Sequence, residues 1–84
     1  MYEIEFTDTA KRQFTKLERS VQERISAVLD RIKIRPEAYL ERLVGVNSYK
    51  LRVGGHRLII DLDNKKLIIL VLKVAHRKNV YDRL

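Results

Sequence analysis

Tyr2, Ile4 and Phe6 alternate with Glu3 and Glu5 at the start of the chain. A period of two sets the three apolar side chains on one face, which predicts a short half-buried strand. Thr7, Asp8 and Thr9 follow as N-cap candidates. Ala10, Phe14 and Leu17 then recur at helical spacing and predict a first helix over residues 8–18. Ser20-Val21-Gln22-Glu23 has the form of a capping box, in which the serine accepts from the N3 amide and the glutamate reaches back. Val21, Ile25, Val28, Leu29 and Ile32 make the apolar stripe of a second helix. Pro36 disfavours helical geometry in the residue before it, so this helix is expected to stop near Arg35. The two helices should pair as a hairpin with a shared apolar side.

From residue 36 to 47 the pattern is irregular, and Tyr39, Leu40, Leu43 and Val44 are expected to pin this connection to the core. Three strands are predicted beyond it, over residues 48–53, 56–62 and 66–74. Gly54-Gly55 is a strong hairpin turn, since the favoured two-residue turns need φ > 0. Asp63-Asn64-Lys65 supplies the next turn. The run 68–72 is apolar throughout, as a central strand covered on both faces would be. The order β-α-α-β-β-β predicts an α+β fold, a mostly antiparallel four-stranded sheet with an N-terminal helical hairpin packed on one face. The other face is left for function.

The chain has 84 residues, which suits a single domain over 1–84 with little core to spare. It carries 18 Lys and Arg against 11 Asp and Glu, a formal net charge of +7. Such a balance points to an acidic partner: nucleic acid, an acidic protein or a membrane surface. No cysteine is present, which excludes disulfides, thiolate metal sites and a cysteine nucleophile. Two histidines and scattered carboxylates make no convincing metal site, so neither metal nor cofactor is expected. The opening MYEIEFTD lacks the basic start and apolar run of a secretory leader, and the longest apolar run, 67–72, is too short to span a bilayer. A cytoplasmic location without membrane association is the simplest expectation.

The charge is not spread evenly. Lys50 and Arg52 share one face of the first hairpin strand. With Gly54-Gly55 as the turn, Val53 lies opposite His56 and Arg52 opposite Arg57. Like charges placed across a ladder destabilise a sheet. The arrangement is most easily tolerated on a face that holds an anion, and a phosphodiester is the obvious candidate. Arg77 follows the last strand and Tyr81 lies four residues on, so guanidiniums for phosphate and a ring for base stacking are within reach of one site. Each residue also has an ordinary explanation: alternating surface positions for Lys50 and Arg52, a salt bridge to Asp61 for Arg57, a strand-end cap for Arg77, a core rim for Tyr81. His56, beside the turn, is read as solvated. His76 adjoins Arg77 and, as an imidazole, is a candidate for proton transfer.

The segments YKLRVGGHRLIIDL and VLKVAHRKNVY closely resemble the RelE toxins of the RelE/ParE toxin–antitoxin superfamily, and the resemblance extends over nearly the whole chain. It implies a metal-independent endoribonuclease that cleaves mRNA in the ribosomal A site and is silenced by a cognate acidic RelB-like antitoxin. Carried over to this chain, Lys50, Arg52, Arg57, Arg77 and Tyr81 become the residues acting on RNA. Tyr81 would stack on the base, Arg57 would hold the scissile phosphate, and Arg77 would stabilise or protonate the leaving 5′ oxygen. Lys50 and Arg52 would stabilise the charged transition state or favour deprotonation of the 2′-hydroxyl. The Arg52 position is commonly lysine in the RelE branch, and an arginine is a poor base. The base is then Lys50, if neighbouring cations lower its pKa, or His76, or no dedicated group. Two alternatives stay open: a ParE-like inhibitor of DNA gyrase without nuclease activity, and a non-catalytic RNA-binding relative.

Overall fold

The computed structural model describes residues 1–76. The chain begins with strand β1 (Glu3–Phe6), followed by helices α1 (Asp8–Thr15) and α2 (Arg19–Ile32). A 3-10 turn (Pro36–Ala38) leads to β2 (Glu41–Arg42), β3 (Tyr49–Val53), β4 (His56–Asp63) and β5 (Ile68–His76). The five strands form one sheet in the order β1-β5-β4-β3-β2. All neighbouring pairs are antiparallel except β1 with β5. The expected α+β architecture is present, with one strand more than the pattern predicted.

That extra strand is β2, whose Glu41 and Arg42 pair with Lys50 and Tyr49 inside the connection read as irregular. Only part of this connection is pinned as expected. Leu40 packs against the core, whereas Val44 is fully exposed at 100% and Tyr39 is half exposed. Gly45 next to Val44 has φ +83°, so the backbone reverses there and carries Val44 outward.

Thr7 is the N-cap of α1, its hydroxyl accepting from Ala10 N at 3.1 Å. The helix ends at Thr15, sooner than its apolar spacing suggested, with Leu17 N donating to the Phe14 carbonyl at 3.1 Å. The N-cap of α2 is Glu18 without a side-chain bond, and the capping box from Ser20 does not form. Its members serve elsewhere. Gln22 Nε2 donates to the Phe14 carbonyl at 2.9 Å, tying α2 to the end of α1, and Glu23 pairs with Arg19 at 3.4 Å.

Ile25, Leu29 and Ile32 of α2 and Ala10 of α1 bury one face of the sheet, meeting Leu51, Val53, Leu58, Ile60, Ile69, Val71 and Val74. Phe6 and Phe14 close the rim edge to face, with ring centroids 5.3 Å apart. Full burial of each large aliphatic side chain contributes about 1.5–3 kcal/mol. In β5, Ile69 and Val71 are buried while Ile68, Leu70 and Leu72 are half-buried, so the apolar run still alternates.

The pairing of β4 with β5 slips by one residue between Ile59 and Ile60: Ile60 lies opposite Val71, but Ile59 lies opposite Lys73. Leu72 is the extra residue of a β-bulge. Its carbonyl accepts from the Thr7 hydroxyl at 3.0 Å, and Val74 N donates to Gln13 Oε1 at 2.7 Å. Where β1 ends, side chains of the α1 region therefore satisfy the edge of β5.

Candidate functional site

Gly54 has φ +60° and Gly55 does not share the positive φ. The hairpin turn is thus of the type with glycine at its first central position. Its register is the expected one: Val53 opposite His56, Arg52 opposite Arg57, Leu51 opposite Leu58. Leu51, Val53 and Leu58 belong to the core, so Lys50, Arg52 and Arg57 share the opposite face, which carries no helix among the described residues.

The three cations have different surroundings. Arg52 is exposed. Arg57 is only 2% exposed, a buried guanidinium in the central part of the sheet. Asp61, the carboxylate nearest in sequence on the same face, accepts through Oδ1 from the Ser48 hydroxyl at 2.8 Å. Lys50 Nζ lies 3.5 Å from Glu41 Oε2, the carboxylate brought alongside by β2. A carboxylate therefore sits beside Lys50, where the proton-acceptor role expected above called for cations alone.

His76 departs from its expected place. It pairs with His56 across β4 and β5, and the rings meet edge to face with centroids 5.4 Å apart. His56 lies opposite the core residue Val53, so both imidazoles belong to the face that carries the helices. The register sets His76 on the face opposite that of Lys50, Arg52 and Arg57. The pKa of His56 is lowered, by partial burial first and then by His76 and Arg24. Arg77 and Tyr81 lie outside the described residues.

The register also adds a cation that the sequence reading passed over. Lys73 stands opposite Ile59, which in turn stands opposite Lys50. Lys73 is exposed and shares the face of Arg52 and Arg57. The bulge hides it from pattern reading. A regular ladder continued from the β4–β5 turn would set Leu72 opposite Ile59 and turn Lys73 into the core. The residue types leave one trace, since Lys73 is the single charge between apolar neighbours in LVLKVA.

A helical hairpin on one face of a mostly antiparallel sheet, with cations gathered on the other, defines an α+β protein of RelE-like structure. The chain belongs to the ParE toxin family of type II toxin–antitoxin systems, whose family model (ParE toxin of type II toxin-antitoxin system, parDE) matches residues 4–81. Among named relatives, Toxin RelG of Mycobacterium tuberculosis is 30% identical over 86 residues, covering 98% of each chain. The isolated RelE toxin of Escherichia coli superimposes with a TM-score of 0.79 at 27% identity, covering 99% of this chain and 94% of that one. The toxin of the intact E. coli RelBE complex gives 0.77 at 28% identity, covering 90% of this chain and 96% of its own. The protein is thus a toxin of the RelE/ParE superfamily, with relatives in its RelE branch.

Proposed function

We propose that this toxin is an endoribonuclease that cuts mRNA, in the ribosomal A site, without a metal. The reading is carried by one observation: Arg52 stands directly opposite Arg57, with Lys50 two residues along on the same face. Such a face suits the dianionic transition state of phosphodiester cleavage. The 2′-oxygen loses its proton and bonds to the adjacent phosphorus, and the bond from phosphorus to the 5′-oxygen breaks. That oxygen takes up a proton, leaving a 5′-hydroxyl and a 2′,3′-cyclic phosphate. Arg57 holds the scissile phosphate and Arg52 faces the developing charge, with Lys50 beside it. Arg77 serves the leaving oxygen and Tyr81 stacks on the base. With Lys50 beside Glu41 and His76 on the other face, no dedicated base is assigned. Alignment of the 2′-oxygen and electrostatic stabilisation carry the acceleration, and the proton passes to water.

The solved RelE relatives in complex with RelB support a protein antitoxin as the second partner. An acidic antitoxin would match the +7 net charge.

The test is mRNA cleavage on programmed ribosomes. Wild-type protein should produce fragments whose 5′ ends accept phosphate from a polynucleotide kinase without prior phosphatase treatment. Arg57→Ala combined with Arg77→Ala should lower cutting by at least about 100-fold, the scale of losing one preorganised donor to a developing oxyanion. Unchanged cutting by this double variant would refute the site assignment. The family match to ParE favours a second reading, inhibition of DNA gyrase. Loss of gyrase supercoiling with translation intact would select it.

A further inference from the structure

Among the described residues of the face opposite the helices, two cations are exposed, and they lie on either side of the buried Arg57. Arg52 is on β3 and Lys73 is on β5, both exposed. Lys50 is held by Glu41 at 3.5 Å. No ion pair involves Arg52 or Lys73 among the described residues. The register places Lys73 diagonal to Arg57, since Arg57 lies opposite Ala75 and Ile59 lies opposite Lys73. Neighbouring strands are about 4.8 Å apart, so Lys73 stands roughly 10 Å across the sheet from Lys50 and Arg52. The β4–β5 bulge creates this placement, and the Thr7 hydroxyl bond to the Leu72 carbonyl at 3.0 Å anchors it.

We propose that Lys73 is a backbone-phosphate contact that extends the RNA track across the sheet from β3 to β5. It binds a phosphate neighbouring the scissile one and takes no part in bond breaking. The anion's identity rests on the nuclease reading above, which this proposal deepens. A lysine is a point charge with rotatable donors, so the contact adds affinity and register without base preference.

The probe is a 12-nucleotide single-stranded RNA with every 2′-hydroxyl methylated, which binds but cannot be cut. Its affinity for the full chain is measured across a series of salt concentrations. Lys73→Ala should weaken binding several-fold, equally for oligonucleotides of different sequence. The slope of log K against log salt should fall in magnitude by about 0.7, the value for one lost contact to a single strand. Lys73→Arg should restore both quantities. Lys65→Ala removes an equal charge at the far turn of the β4–β5 hairpin and should change neither. Wild-type affinity and slope in Lys73→Ala would overturn the proposal. So would a loss no larger than that of Lys65→Ala, or a wild-type chain that does not bind the probe. The ribosome cleavage assay judges the nuclease reading separately. Uncut mRNA together with a Lys73-dependent slope would retain this contact while the nuclease reading falls.

Discussion

At the scale of single residues, His56 links structure to pH. Its imidazole is partly buried against His76 and near Arg24, and these lower its pKa from the ordinary 6.5. In the unfolded chain the group titrates near 6.5. As pH falls through that value, the unfolded state takes up a proton before the folded state does. The stability associated with neutral His56 is therefore complete above about pH 6.5 and is lost as pH drops toward the lower folded value. The urea midpoint should decline between pH 8 and pH 5.5, and His56→Gln should flatten that decline. An equal slope in the variant would show that the imidazole pair is not its source. The same scale shows what local pattern conveys. The pairing of Arg52 with Arg57 was legible because Gly54-Gly55 set the register of a two-residue turn. The burial of Arg57 was not, because an alternating strand labels a face without saying what covers it. The face of His76 was not legible either: its closeness to Arg77 in sequence suggested a shared site, whereas its register opposite His56 in β5 sets it on the side of Val53.

Among elements, the bulge in β5 governs which side chains reach the face opposite the helices. Thr7 performs two tasks there, accepting from Ala10 N at 3.1 Å and donating to the Leu72 carbonyl at 3.0 Å. Thr7→Val keeps the shape and removes both bonds. Loss of an N-cap costs about 0.5–2 kcal/mol, and an unsatisfied part-buried carbonyl adds about 1 kcal/mol. The variant should be less stable by about 1–3 kcal/mol in urea denaturation, with faster hydrogen exchange at α1 and at β5 around Leu72. A loss confined to α1 would mean that the bulge holds itself. Elements with a strong period were legible in the sequence: β1, both helices and the β3–β4 hairpin. Those that depend on distant partners were not. β2 is a two-residue strand that exists because β3 offers an edge, and its Glu41 supplies the carboxylate beside Lys50. The capping box at Ser20 failed because Glu23 found Arg19 and Gln22 found the end of α1. Tertiary contacts outweighed a local signature there.

For the whole molecule, the two faces of the sheet make opposite demands. The helix side holds the apolar core, and the other side gathers positive charge in a chain already at +7. Cations directly opposite across a ladder destabilise it by roughly 0.2–1 kcal/mol relative to neutral neighbours. A surface kept for an anion should therefore weaken the fold in the anion's absence, the compromise expected of functional sites. Arg52→Thr tests this, because threonine suits a strand and removes one charge of the Arg52–Arg57 pair. The variant should be more stable than wild type by about 0.2–1 kcal/mol near 0.05 M salt. Raising salt to 1 M shortens the screening length to about 3 Å, so the two proteins should converge there. RNA cleavage by the same variant should fall at least about 10-fold, about the tenfold that 1.36 kcal/mol of lost transition-state stabilisation gives. A gain in stability with a loss of cutting would identify the arginine pair as retained for its ligand. A variant less stable than wild type at low salt would instead mean that Arg52 supports the sheet, and that charge repulsion gives no reason to assign this face to RNA.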